Sequence, residues 1–282
     1  QLWPMIKTHK STEIVKMQAQ AGAKGFLCGT LDECEGVFAA GIGNIMYAYP
    51  VASEVNARRV ADLAGKCNFI IRIDNYESAR MIHEAAQAAG VKVNYTIIVD
   101  SGLHRLGILP EQVVDFANSI GNFTSLVFKG VSTHPGHVYS AANQDDIKTY
   151  AADEKRSMKM AVELLKDAGY DPEIISSGST PSFFDAVTDE YINVYHPGNY
   201  VFMDNTQINI GIVGASDCAL YVYATIISNP RPGEYICDAG SKCLGLDSGS
   251  NSNSAADGYG YVKGHPELTV AKLSEEIGRL FV

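Results

Sequence analysis

The chain has 282 residues, 46% of them hydrophobic and 19% charged, with a formal net charge of −10. That balance suits a soluble globular protein with a sizeable core, and its scattered acids argue against nucleic acid or an anionic membrane surface as partners. No run of about 18 apolar residues is present to span a bilayer, and six cysteines without a CxxC pair read as reduced thiols of a cytoplasmic protein.

From the N-terminus, short apolar runs alternate with helix-patterned segments. The chain opens on Gln1 and enters its first run, Pro4–Lys7, almost at once, which reads as a processed or truncated start. A helix over 12–21 follows, with Ser11 as its cap and Gly22 as its stop. Further strands are expected over 25–29, 44–49, 68–74, 92–100, 125–134, 173–177 and 193–195. Helices are predicted between them over 32–40, 54–65, 77–89, 110–120 and 145–168.

Eight strands, each followed by a helix or helical turn, predict an α/β fold with a parallel sheet. Within residues 1–204 this spacing fits a closed (β/α)₈ TIM-type barrel better than an open doubly wound sheet, and no GxGxxG follows an early strand. After Asp204 the texture becomes β-branched and aromatic, so 205–282 is expected as part of a smaller β domain, incomplete as it stands. Strands are predicted there over 219–228 and 234–238, a loop at GSNSNSAADG, and one helix over 268–278.

Barrel chemistry sits at the carboxyl ends of the strands. There the first run ends in Lys7, the fourth carries Arg72 and Asp74, and the fifth ends in Asp100 with Arg105 in the following loop. The sixth ends in His134, with His137 and Tyr139 close behind. The seventh runs into SSGSTPS and the eighth into HPGNY, two loops whose N–H groups and hydroxyls can cradle a phosphate dianion. An amine facing such a cup suggests a lysine Schiff base, either with a phosphorylated carbonyl substrate or with pyridoxal phosphate. His134, Arg105 and His196 can supply the neighbours that a pyridine ring needs. Lys10 reads as a solvated lysine at a helix start and His9 as a structural histidine. The CDAGSKC segment, with Asp238 and Lys242, reads equally as a turn or as part of a site.

MIKTHKS, IIVDSGLHRLGI, STHPGHVY, SSGSTPS, YHPGNYVFMD, DAGSK and LSEEIG occur in this order. Together they resemble the D-threonine aldolase / D-serine dehydratase family, fold-type III pyridoxal phosphate enzymes related to alanine racemase. The resemblance implies a cofactor Schiff base on Lys7, a homodimer, and lyase action on small D-β-hydroxy amino acids, by aldol cleavage or dehydration. It places Arg105 at the cofactor's phenolic oxygen and His134 on its ring. Ser177, Gly178, Ser179, Thr180, Gly198, Asn199 and Tyr200 would line the phosphate, with His196 near the position of an arginine in alanine racemase. Lys7, Arg105 and His134 are thus the expected catalytic residues.

The alternatives are an amino-acid racemase, for which Tyr259 or Tyr261 would supply the second base, and a non-catalytic cofactor-binding protein. The family's RPHxKTHK is WPMIKTHK here, and Ile277 replaces the histidine of SEEHG. The family's His-x-Cys or His-x-Asp metal segment is not reached within these residues. No metal ligand is therefore assigned, and a divalent ion is expected only with a further C-terminal segment.

Overall fold

A computed structural model of the chain describes residues 1–188, 190–246 and 258–282. The chain divides into two compact units, Gln1–Pro135 with Lys148–Gly198, and Gly136–Ile147 with Asn199–Val282.

The first unit holds a parallel sheet of β1 (Phe26–Cys28), β2 (Asn44–Tyr47), β3 (Asn68–Ile73), β4 (Val93–Ile98), β5 (Leu126–Ser132), β6 (Ile174–Ser177) and β7 (Val194–Tyr195), in chain order. Residues 2–5 fill the eighth place, with Leu2 bridging Tyr195 of β7 and Met5 bridging Leu27 of β1. The backbone bonds Trp3 N–H to Tyr195 O (2.8 Å) and Leu27 N–H to Pro4 O (2.9 Å) close the ring. Strand–helix alternation thus gives the expected (β/α)₈ arrangement.

Outside the sheet lie α1 (Thr12–Gln20), α2 (Leu31–Ala39), α3 (Glu54–Ala64), α4 (Tyr76–Ala89), α5 (Val113–Ser119), α6 (Gln144–Asp167) and the short α7 (Phe183–Ala186). The first four begin on Ser11, Thr30, Ser53 and Asn75, whose side chains accept from backbone N–H groups of the first turn. Alternate strand residues point to opposite faces. Phe26, Ile45, Phe69, Ile71, Ile73, Val93 and Ile97 pack outward in one core with Val60, Leu63, Ile82 and Ala86 of the helices. Trp3, Met5, Leu27, Met46, Ile70 and Val194 fill the lumen. Each such burial contributes about 1.5–3 kcal/mol.

One irregularity sets the geometry near the site. Tyr95 pairs with Phe128 but Thr96 pairs with Gly130, so Lys129 is an extra residue bulged out of β5. Gly130 has φ +137°, and a Cβ on it would come within 2.0 Å of Ile174 O. Only glycine fits there.

The second unit carries an antiparallel sheet in the order β10-β11-β9-β8, made of β8 (Ile226–Arg231), β9 (Glu234–Cys237), β10 (Thr269–Leu273) and β11 (Gly278–Phe281). Two short helices accompany it, α8 (Asn205–Asn209) and α9 (Ser241–Leu244). The strand expected over 219–228 starts only at Ile226. The helix expected over 268–278 is instead β10, a turn, and the first residue of β11. The alternation in TVAKL suits a strand, and the carbonyls of Ser274 and Glu275 accept from Ser241 N–H and Lys242 N–H rather than from a helical turn. Most of the loop expected at 249–258 lies outside the described residues. Among the described residues no helix is long and apolar enough to cross a membrane.

Candidate functional site

Lys7 sits in a single 3₁₀ turn, Ile6–Thr8, at the end of the closing segment, with its side chain exposed. A Cβ on Gly29 would lie 3.2 Å from Lys7 Cβ, so that glycine leaves room for the lysine stem. The Lys7 amine makes no hydrogen bond or ion pair among the described residues. Lys10 differs in this respect, because its Nζ pairs with Glu33, whose other oxygen accepts from Gly29 N–H at 2.7 Å. His9 accepts from Ser11 N–H through Nδ1 (3.1 Å), a structural contact at the start of α1.

Arg105 is exposed on a loop that two acids hold in shape. Gly107 N–H donates to Asp74 Oδ2 (2.9 Å), while Gly102 N–H and His104 N–H donate to Asp100 Oδ1 at 2.9 and 3.1 Å. Burial alone would raise the Asp100 pKa, but these N–H bonds and the His104 ring outweigh it and hold the carboxyl below its usual value. Gly107 has φ +113°, and a Cβ there would come within 2.6 Å of Asp100 N. The strand-end acids therefore act as anchors for the loop that carries Arg105.

His134 and His196 point into the lumen. His134 Nδ1 lies 2.7 Å from Gly178 O, and His196 Nδ1 lies 2.7 Å from Trp3 O. A carbonyl only accepts, so both rings carry their proton on Nδ1 and leave Nε2 as a bare acceptor. Burial, followed by the positive charges of Lys7, Arg105 and Arg72, pushes the His134 pKa down to about 3. Burial and the charge of Arg72 likewise hold His196 well below the usual range. Both rings are neutral near pH 7.

Arg72 is also buried, and among the described residues its bonds are to Met46 Sδ (3.4 Å) and Ser176 Oγ (3.3 Å). Desolvation lowers its pKa to about 9. Arg72 is one of the expected strand-end polar residues, and its alternation with Ile71 and Ile73 fits its place on the lumen face, although it received no role in the expected site.

The loop after β6, expected to line a phosphate, carries backbone donors without partners. The N–H groups of Gly178 and Ser179, and that of Gly198 after β7, donate to no group among the described residues. These free donors, in a largely buried loop, suit a phosphate dianion. Ser179 Oγ and Ser182 Oγ bond each other at 2.6 Å, and Thr180 is buried beside them.

Ser177 departs from its expected role. Ile174 and Ser176 face the lumen, so Ser177 points outward, and its hydroxyl donates to Glu154 of α6. Glu154 was missed altogether. Its sign was an acid at a buried position of the apolar stripe shared with Met158, Ala161 and Leu165.

Asn199 and Tyr200 open the second unit, in the 3₁₀ turn Asn199–Val201, where Asn199 Nδ2 donates to Asp204 Oδ2 (2.6 Å). His137 and Tyr139 lie in that unit too, in the turn Gly136–Ser140. In the CDAGSKC segment, Asp238 Oδ1 accepts from Thr225 N–H (2.7 Å) and Lys242 pairs with Glu276. No group of three or more His, Cys, Asp or Glu among the described residues could hold a metal ion.

The residues present fit pyridoxal phosphate. The amine of Lys7 is free, the loop N–H groups lack partners, and His196 Nε2 is a buried acceptor without a donor. The comparisons with known proteins agree. Residues 1–206 match the family described as alanine racemase, N-terminal domain, and residues 219–282 the putative serine dehydratase domain. D-threo-3-hydroxyaspartate dehydratase of Delftia sp. (strain HT23) is 31% identical over 93% of this chain and 70% of its own length. Its solved structure covers 100% of this chain and 76% of its own, with a TM-score of 0.90 and 28% identity. D-serine dehydratase of Dictyostelium discoideum is 29% identical over 98% of this chain and 75% of its own length. The structure of D-threonine aldolase from Filomicrobium marinum matches with a TM-score of 0.86 and 25% identity, covering 100% of this chain and 75% of that one. The chain therefore belongs to the fold-type III, alanine racemase-like pyridoxal phosphate enzymes with a serine dehydratase domain, the family of the D-threonine aldolases and D-serine dehydratases.

Proposed function

We propose that the protein is a pyridoxal phosphate-dependent lyase acting on D-β-hydroxy amino acids, of the D-threonine aldolase or D-serine dehydratase type. The observation that carries this reading is the set of unpartnered groups on the barrel, the Lys7 amine and the N–H groups of Gly178, Ser179 and Gly198, which suit a phosphorylated aldehyde.

In this reading Lys7 is the residue whose free amine would hold the aldehyde end of the cofactor. Arg105 would serve the phenolic oxygen, and the free N–H groups of Gly178, Ser179 and Gly198 would hold the phosphate. When bound, pyridoxal phosphate supplies an electron sink that weakens the bonds at the substrate's Cα. The chain's own part is to orient and to manage protons. His134 stays neutral against the ring, since its Nδ1 proton is given to Gly178 O and its Nε2 remains an acceptor. The Lys7 amine would be the group available to carry a proton to or from the substrate, and Asp74 and Asp100 hold the Arg105 loop through its N–H groups.

The reading carries with it a homodimer working in the cytoplasm on small D-amino acids, without nucleic acid. The acidic net charge and unpaired cysteines are consistent with that setting. A divalent ion enters only with ligands from outside the described residues. The test is incubation of the cofactor-loaded protein with D-threonine, D-serine and D-threo-3-hydroxyaspartate, reading glycine plus aldehyde against keto acid plus ammonia. Inversion of alanine without either product would replace the lyase by a racemase. Absence of all turnover in a cofactor-loaded protein would leave a binding protein.

A further inference from the structure

Glu154 is 1% exposed, on a helix outside the barrel, and belongs to no part of the chemistry described above. A carboxylate at such a depth costs several kcal/mol of desolvation unless its bonds offset it. It lies on the stripe of α6 that presents Met158, Ala161 and Leu165 to the core, where an apolar residue would serve packing better. It accepts a hydrogen bond from the hydroxyl of Ser177, itself 1% exposed.

Ser177 and Gly178 form the last step of β6 before the loop with the free N–H groups. Three bonds from the barrel fix this step on the lumen side and edges. Thr133 N–H donates to Ser176 O and His196 N–H to Ser177 O, both at 2.8 Å, and His134 Nδ1–H donates to Gly178 O at 2.7 Å. A Cβ on Gly178 would come within 2.4 Å of the His196 carbonyl carbon, so the strand end lies flat against β7's continuation. None of these bonds reaches the helix side of the strand, where the Ser177 side chain lies. There the bond to Glu154 ties the strand end to α6. A hydroxyl has one proton, and giving it outward commits Ser177 to facing α6. Alternation then turns Gly178 the other way.

We propose that Glu154 is a positioning residue for cofactor phosphate, acting through Ser177 to hold the N–H groups of Gly178 and Ser179 in their binding orientation. This rests on reading that loop as the phosphate cup. Glu154 touches neither cofactor nor substrate in this role. Its influence is therefore specific to ligands that carry the phosphate, which separates positioning from general support of the fold.

The experiment measures equilibrium binding of pyridoxal phosphate and of pyridoxal, which lacks the phosphate, to the wild type, Glu154→Ala, Glu154→Gln, Ser177→Ala and the Glu154→Ala/Ser177→Ala double variant. Wild-type preference for the phosphorylated ligand is the control, and its absence would remove the phosphate cup itself. With that preference present, Glu154→Ala is expected to weaken pyridoxal phosphate about tenfold, the loss of one net charged hydrogen bond. Pyridoxal should change by less than about twofold, below the 1.4 kcal/mol that a tenfold effect represents. Glu154→Gln keeps an acceptor oxygen and should retain most of the affinity. The double variant should be no weaker than either single one, as expected for two residues acting as one unit. Equal losses for both ligands, additive losses in the double variant, or a Gln variant as weak as Ala would each overturn the proposal. Should Glu154→Ala fail to fold, the Gln and Ser177→Ala variants carry the same comparison.

Discussion

The two sheets use the same kind of sequence to opposite ends. In the parallel sheet, β3 and β4 are apolar runs buried almost from end to end, because helices cover one face and the lumen the other. In the antiparallel sheet, every residue of β8 is exposed, including Ile226 at 49%, and the apolar stretch before it reaches 101% exposure at Tyr223. An apolar, β-branched run therefore announces a strand in both units but a core in only one. Burial comes from what lies on each face, which a single strand's sequence does not contain.

If the chemistry belongs to the barrel as its buried strands imply, replacing Lys7 is the harshest test. In Lys7→Ala, borohydride treatment of the cofactor-loaded protein should fix no cofactor to the chain, as read by mass spectrometry of the intact protein. Lys10→Ala should label fully, since that amine is tied to Glu33. Labelling lost with Lys10 and kept with Lys7 would reverse the assignment.

Next in size is a core truncation. Ile97 is fully buried between sheet and helices, and Ile97→Ala should cost about 2–5 kcal/mol of unfolding free energy in a denaturant titration. The protein has one tryptophan, Trp3, in the barrel lumen, so its fluorescence reports this unit.

Acid should act on the barrel through its histidines. The folded His134 pKa of about 3 lies below the roughly 6.5 of an unfolded chain. As pH falls below about 6.5 the unfolded chain takes up a proton that the folded barrel refuses. Stability supported by the neutral ring is thus present above about 6.5 and lost progressively down to about 3. His134→Phe should flatten that part of the profile, measured by Trp3 fluorescence across the range. A slope unchanged by the substitution would mean that another group drives acid unfolding. The four strands of the antiparallel sheet contain no histidine, so no such limb is expected from them.

The smallest effect tests the other side of the contrast. Ile226→Thr, on exposed β8, should change unfolding free energy by no more than about 0.5 kcal/mol. A loss as large as that of Ile97→Ala would show that β8 is covered in solution.

Much of the barrel was legible because its signals are local: caps at Ser11, Thr30, Ser53 and Asn75, and apolar runs between them. Lys7, Arg105 and His134 could be picked out because strand ends collect polar residues. What could not be read was facing and covering. SSGSTPS does not say which serine turns outward, so Ser177 was placed in the cup when its hydroxyl serves Glu154. Arg72 looked like one more strand-end polar group, yet it is a cation sealed in the lumen. The strands β10 and β11 were hidden behind the acids of LSEEI, because the pairing of β10 with β11 and of β11 with β9 is not local to the sequence.

The bulge at Lys129 carries a consequence for how this site can be inherited. Beyond it, Ser132 faces Thr96 in the lumen at 3.2 Å, and His134, two residues on, shares that face. The bulge absorbs the extra residue without changing which face its neighbours take. Phe128 and Gly130 stand opposite Tyr95 and Thr96, which are adjacent in β4, so the two sides of the bulge share one alternation. Deleting Lys129 would join Phe128 to Gly130 in that same register, with Val131 still turned outward and Ser132 and His134 still on the lumen face. A single-codon deletion at this place would thus spare the site, whereas flattening the bulge with the residue kept would turn Gly130 and all that follows to the opposite face. Lys129 is slack in the count of β5, and chains that lack it can keep His134 in the lumen without restoring a residue elsewhere.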